Sequence, residues 1–357
     1  MQAQEKPAGK RLPALDLLKV IALLPMPVAH VLESAGYDST HGLWYFLNAM
    51  LGAPIFMLCM GFGFAVSRRT SLRFLVQRGI KTLLSGYLLN IARVSVAMVW
   101  YSVCKDDAQF LSVIQAFFEG DILQFAGLAM IVTGLMQKTK NPPLYAFLLG
   151  CALSIVHTFL PELHFSSQLP YALTGLFFYA GDCEIDMCFP FFAWYLFVGF
   201  GYLLGSRHKQ KQYSTAFYCK VGIPCAVIAA AFFVYCAIRQ TGPMQPDVEG
   251  IYRMQFPEGL AILGWFLCFF ALMRLLAPKL PAALLSVTSR LSRCVNEIYV
   301  IHWLMLCCLV EPLCRAMQYS PGAFAAGILG VLILAASLYL GPVYCAHRDA
   351  RKQKKLS

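Results

Sequence analysis

Residues 11–30 read Arg11-Leu-Pro-Ala-Leu-Asp16-Leu-Leu-Lys19-Val-Ile-Ala-Leu-Leu-Pro25-Met-Pro27-Val-Ala-His30, an apolar run interrupted by ionisable groups. Such groups are costly in a membrane-length helix, so each needs a partner or a task. At about 1.5 Å rise per residue, Lys19 and His30 lie roughly 16 Å apart along the axis. The lysine then sits toward one face of a bilayer and the histidine well toward the other. The turn of about 100° per residue brings both onto nearly one face. Pro25 and Pro27 lie between them and should kink the helix, freeing carbonyls toward a cavity. The plain alternative is a snorkelling lysine and a satisfied interfacial histidine.

The rest of the chain supports the membrane reading. Of 357 residues, 59% are hydrophobic and 13% charged, and the mean hydropathy is +0.62. A soluble domain averages about 45–50% apolar and about 25% charged. Apolar runs of spanning length occur near 14–34, 43–66, 78–99, 120–136, 143–160, 188–206, 216–238, 257–276, 293–311 and 323–346. The expected fold is all-α: one domain, 1–357, forming a polytopic membrane helix bundle of ten transmembrane helices. Residues 169–180 would make an eleventh, re-entrant segment. The first eleven residues are polar and lack a cleavage site, so the first apolar segment is expected to be a retained helix.

The net charge of +11 suggests nucleic acid until its distribution is read. Every second connection is basic, from Lys10 and Arg11 through Arg68–Lys81, Lys138 and Lys140, Arg207–Lys211 and Arg274–Arg293 to Arg348–Lys355. The alternate connections hold Asp106, Asp107, Glu119 and Asp121, then Glu162, Asp182, Glu184 and Asp186, then Asp247 and Glu249. Lys and Arg mark cytoplasmic loops, so both termini are expected inside and the partner of the basic tail is the anionic bilayer surface. No nucleic-acid partner is expected. The fourteen cysteines show no paired metal-ligand spacing, and most read as small apolar fillers. Cys183 and Cys188 share an outer loop and are near enough in sequence to pair.

Three constellations could carry chemistry. The first is Asp16, Lys19, His30 and Glu33. The second is Arg68-Arg-Thr-Ser-Leu-Arg73-Phe-Leu-Val-Gln-Arg78-Gly-Ile-Lys81, where Arg78 and Lys81 share a helix face and clustered cations suit phosphate oxygens. Plain positive-inside anchoring is the competing reading, and it suffices for Arg68 and Arg69. The third is Asn296-Glu297-Ile-Tyr299-Val-Ile-His302-Trp303, where Glu297 needs a cationic or protonated solution and Tyr299 and His302 share a face. A structural ion pair and a bundle hydrogen bond are the alternatives there. Asn90, Arg93, Glu119, Asp121, His157, His164 and Glu258 rank below these, though Glu119 and Asp121 could orient a histidine or bind an acceptor hydroxyl. No zinc motif, phosphate-binding glycine loop or serine elbow is present, so no metal site is expected.

Together these stretches resemble the integral-membrane acyltransferases: bacterial acyltransferase family 3 and the related heparan-glucosaminide acetyltransferase-like proteins. The first family opens with Arg-x-x-x-Leu-Asp-x-Leu-Arg followed by a histidine. Arg11, Leu15, Asp16, Leu18 and His30 match, with Lys19 where arginine is usual. Its Arg-x-x-Arg is similar to Arg78-Gly-Ile-Lys81, and its C-terminal Ile-Tyr-x-Ile-His-Trp to Ile298-Tyr-Val-Ile-His302-Trp303. Ala53–Gly61, Gly120–Gly127 and Phe189–Trp194 look more like the heparan-glucosaminide group. The resemblance is strongest over residues 11–310. It implies an acyltransferase, transferring groups other than amino-acyl groups, that moves an acyl group from cytoplasmic acyl-CoA to a glycan or glycolipid. Acetyl-CoA is the expected donor substrate, with no bound cofactor, and the acceptor is a sugar hydroxyl or amine at the outer face. Lys19, Arg73, Arg78 and Lys81 would hold the donor. His30 would act as base or transient acyl carrier, with Asp16, Glu297 and His302 as further catalytic candidates and Asp16 bracing Lys19 or Arg78. The expected location is a cell membrane, the inner membrane in a bacterium. A transporter or flippase using the same buried charges is the alternative; it would lean on inverted repeats, and none are visible.

Overall fold

The computed structural model describes residues 11–37, 46–104, 107–161, 168–178, 187–242 and 253–354. Among the described residues the chain is helical, apart from an isolated bridge between Gly120 and Met187. Eight helical stretches among the described residues are long and apolar enough to cross a membrane. Apolar side chains such as Leu88, Ile228 and Tyr339 are more than half exposed on their outer faces. In water that arrangement would aggregate; in lipid it is the solvated surface. The protein is an all-α, multi-pass membrane bundle.

The first expected span divides in two. Helix α1 (Pro13–Leu23) stops and α2 (Met26–Ser34) restarts, because Pro25 has no N–H to continue the ladder. The Pro25 carbonyl is taken instead by the Ala29 N–H at 2.9 Å. The second span is a π-helical stretch (Leu47–Leu51) running into α3 (Ala53–Val66). The third, α4 (Leu72–Cys104), is longer than the expected 78–99. At 33 residues it extends roughly 50 Å and overshoots a hydrocarbon core of about 30 Å. A short α5 (Asp107–Ala116) precedes α6 (Ile122–Met136), and α7 (Pro142–Phe159) follows. Among its described residues, 169–178, the expected re-entrant segment is helical in α8 (Gln168–Gly175).

Helix α9 (Phe191–Lys211) is the centre of the bundle. Trp194, Tyr195, Leu196, Phe197 and Val198 have no exposed surface. It packs between α3 and α7. A side chain at Gly61 would meet the Val198 carbonyl, and one at Gly201 would meet the Leu58 carbonyl, so these glycines let two backbones touch, as membrane packing requires. Tyr195 Oη lies 3.1 Å from Thr133 Oγ1 of α6. The remaining helices are α10 (Thr215–Arg239), α11 (Phe256–Leu276), α12 (Ala282–Arg293), α13 (Val295–Met305), α14 (Glu311–Ala316) after a π-helical turn at Leu306–Val310, and α15 (Ala323–Lys354). Helix α1 packs on α12 and α11, whereas α2 packs on α15. Lys19 and His30 therefore sit on two helices with different neighbours.

Candidate active site

The basic end of the bundle holds a cavity of about 650 Å³. Lys19 of α1, Arg69 of the α3–α4 connection and Arg78 of α4 line it, with Arg11 and Arg293. Asp16 lines it too, but it is committed elsewhere. Arg11 donates to both its oxygens, from Nε at 2.6 Å and Nη2 at 3.1 Å, and the Ser292 hydroxyl donates at 2.6 Å. Arg11 also donates to the Ser289 carbonyl at 2.8 Å. Asp16 thus fastens α1 to α12 through Arg11 and Ser292, in place of the expected brace to Lys19 or Arg78. That leaves both of those cations turned to the cavity without a carboxylate that the hydrogen-bond network assigns to them.

A second, smaller cavity of about 60 Å³ is lined by His30, Glu33, Asn48, Asp121 and Tyr299. His30 Nδ1 lies 3.1 Å from Glu33 Oε2, one turn along α2. With the proton on Nδ1 facing the carboxylate, Nε2 carries the lone pair that a base needs. The ring is held by aromatic contacts: Trp303 at 4.3 Å between centroids and His302 stacked at 5.5 Å. His302 is fully buried, and among the described residues neither of its ring nitrogens has a hydrogen-bond partner.

Asp121 organises the far side of this cavity. It caps α6 by accepting from the Ile122 N–H at 2.6 Å, and Gln124 completes a capping box. The Tyr299 hydroxyl of α13 donates to Asp121 Oδ2. Arg93 of α4 supplies the counter-charge, with Nη2 3.2 Å from Glu119 and Nη1 3.9 Å from Asp121. Its guanidinium lies 3.7 Å over the Trp303 ring. Asn90 fixes the approach to α6 by donating to the Phe117 and Glu119 carbonyls at 3.0 and 2.9 Å. Glu119 and Asp121 thus share one largely buried guanidinium as their counter-charge, as the low dielectric demands.

The two cavities adjoin. Met26 of α2, Phe56 of α3, Ile122 at the start of α6 and Tyr299 of α13 line both. They form a collar of four side chains from four helices, apolar except for the tethered phenol. On one side stand Lys19 and Arg78; on the other stands His30.

The structure sorts the sequence candidates accordingly. Lys19 and Arg78 share the larger cavity, and His30 and Glu33 share the smaller one. Arg73 and Lys81 are exposed and line neither. Glu297 pairs with Arg348 of α15, as a bolt between α13 and α15 outside both cavities. His302 lines neither cavity and reaches the site through ring contacts with His30, Tyr299 and Trp303. Asp121, Arg93 and Tyr299 carry more of the architecture than their ranking in the sequence implied. The pattern Asp121-Ile-Leu-Gln124 ahead of an apolar run is a capping-box signal that marks the aspartate as fixed rather than solvated. His164 and Cys183 lie outside the described residues, so the Cys183–Cys188 pairing does too.

A family profile described as an acyltransferase domain matches residues 12–340, nearly the whole chain. No curated protein and no solved structure gives a match.

Proposed function

We propose that this chain, which belongs to acyltransferase family 3 and is therefore a membrane acyltransferase, moves an acetyl group from cytoplasmic acetyl-CoA to a surface glycan or glycolipid. The observation that carries the reading is the pair of adjoining cavities that share one collar of side chains, with cations on one side and a carboxylate-oriented histidine on the other. Lys19, Arg69 and Arg78 suit the donor's phosphates, as point charge and forks respectively. The larger cavity has room for the donor's extended arm, and the collar admits its thioester end. The cations line one cavity and His30 the other, a separation that an arm, not a phosphate, has to bridge.

At the smaller cavity His30 Nε2 takes the proton of the acceptor hydroxyl or amine as its oxygen or nitrogen adds to the thioester carbonyl. The carbon–sulfur bond then breaks, the leaving sulfur takes that proton from His30, and the products are the acylated acceptor and the free thiol. Glu33 holds the imidazole in its tautomer and stabilises the imidazolium that forms between the two steps. The test is a strain lacking this protein, complemented with wild type or His30→Ala, with mass spectrometry of its glycans and lipids. The reading expects one acyl increment to vanish in the deletion, return with wild type and stay absent with His30→Ala. Wild-type acylation with the alanine variant would refute it.

A further inference from the structure

We propose that the collar restricts transfer to short, uncharged acyl groups, with Met26 and Phe56 setting the length. This rests on the acyl-transfer reading above and adds what the site accepts. To react, the carbonyl must lie on the His30 side, so the acyl chain and the attacking atom share a space of about 60 Å³. A water-sized group needs about 10–15 Å³ measured in this way, so the space holds a handful of heavy atoms. By that measure it holds about four to six heavy atoms: an acetyl group with an acceptor oxygen fits within it, whereas the two further carbons of butyryl take it to its limit. Met26 and Phe56 line both this space and the larger cavity of about 650 Å³, so they narrow the boundary that the donor's arm occupies and that a longer chain would need. Neither residue yields easily. Met26 directly follows Pro25 at the α1–α2 break, and Phe56 packs against the cluster around Leu23, Cys294 and Ile298.

Charge narrows the choice further. Glu33 and Asp121 both line the small cavity, and the arginine beside Asp121 is already shared with Glu119. A succinyl group would bring its terminal carboxylate against two others in a poorly screened site.

The experiment supplies membranes containing the protein with an equimolar mixture of isotopically distinct acetyl-, butyryl- and succinyl-CoA. The label ratio on the acylated acceptor is independent of expression level. Wild type should favour acetyl over butyryl by at least about tenfold, the scale on which apolar pockets discriminate methylenes, and should exclude succinyl. Phe56→Ala and Met26→Ala should each raise the butyryl-to-acetyl ratio about tenfold while succinyl stays excluded. Phe56→Leu, a milder change, should move the ratio in the same direction if the alanine variant fails to accumulate. Equal use of acetyl and butyryl by wild type, efficient succinyl transfer, or an unchanged ratio in all three variants overturns the proposal. Transfer that depends on His30 but ignores chain length would overturn the collar alone; transfer that ignores His30 would overturn the mechanism beneath it.

Discussion

Tyr299→Phe tests whether the phenol-to-carboxylate contact is what holds the collar in shape. The substitution removes one hydroxyl and keeps the ring, so packing against Leu89 and Leu123 survives. Asp121 loses its donor from α13 but keeps the Ile122 N–H at 2.6 Å and Arg93 at 3.9 Å. A hydrogen bond to a charged group is worth about 1.5–3 kcal/mol in water-soluble proteins. Couplings between membrane helices average about 0.6 and reach about 1.7 kcal/mol. The contact is charge-assisted and buried, but Arg93 remains to neutralise the carboxylate. We therefore expect about 1.5 kcal/mol, which is about tenfold in rate or equilibrium. Asp121→Asn isolates the charge, because asparagine caps a helix as well as aspartate. The assay is a double-mutant cycle over Tyr299→Phe and Asp121→Asn, read as unfolding in detergent micelles and as acyl transfer in membranes. The expected outcome is a coupling near 1.5 kcal/mol in both readouts. Coupling within about 0.3 kcal/mol of zero, the additivity expected of independent sites, would mean that the two groups are neighbours without being partners. Coupling in stability but not in rate would separate the collar from catalysis.

Other expectations follow from the same geometry. Lys19→Gln and Arg78→Gln should each raise the donor KM about tenfold with little change in kcat, consistent with loss of about 1.4 kcal/mol of phosphate binding; Arg73→Gln and Lys81→Gln, outside the cavity, should leave donor KM within twofold of wild type, about 0.4 kcal/mol. Glu33→Gln should lower kcat by roughly 10- to 100-fold, the scale for a partner that orients a functional histidine, and a kcat equal to wild type would remove Glu33 from the site. Gly61→Leu should prevent accumulation of folded protein, seen as loss of the monodisperse peak in size-exclusion chromatography, because the added atoms meet the Val198 carbonyl.

The fold was legible wherever one chemical signal dominated. Twenty-residue apolar runs mark spans because water cannot satisfy backbone inside lipid, and the α1–α2 break follows from Pro25. The length of α4 was less legible: its ends, Leu72–Gln77 and Trp100–Cys104, lie next to the charged residues Arg68–Arg73 and Lys105–Asp107 and so read as connection, yet helix geometry continues past the hydrocarbon. The site was half legible. Lys19 and His30 stood out as costly groups in an apolar run. Partner choice did not, because it is made across helices. Glu297 looks like a catalytic carboxylate until Arg348, 51 positions on, is placed beside it. Asp121 looks like a loop end until Tyr299 and Arg93 arrive from α13 and α4. Helical phase paired Arg78 with Lys81, but it does not say which of the two a neighbouring helix leaves facing a cavity.

Helix α9 bears on how the protein is made. It is the most enclosed element, yet it is not among the eight described helices long and apolar enough to cross: its apolar part stops before Arg207, His208, Lys209 and Lys211, and glycine, tyrosine and tryptophan stand in it where leucine or valine would in a lipid-facing span. Partition into lipid at the translocon depends on each segment's own apolarity. For α9 that drive is weak, and the glycine-lined faces of α3 and α7 supply what it lacks. Both precede it in the chain, so its docking surface has been synthesised before α9 emerges. Insertion of α9 is thus an assembly step, and lesions at Gly61 or Gly201 would surface first as biogenesis defects, with the chain retained at the insertion machinery or degraded.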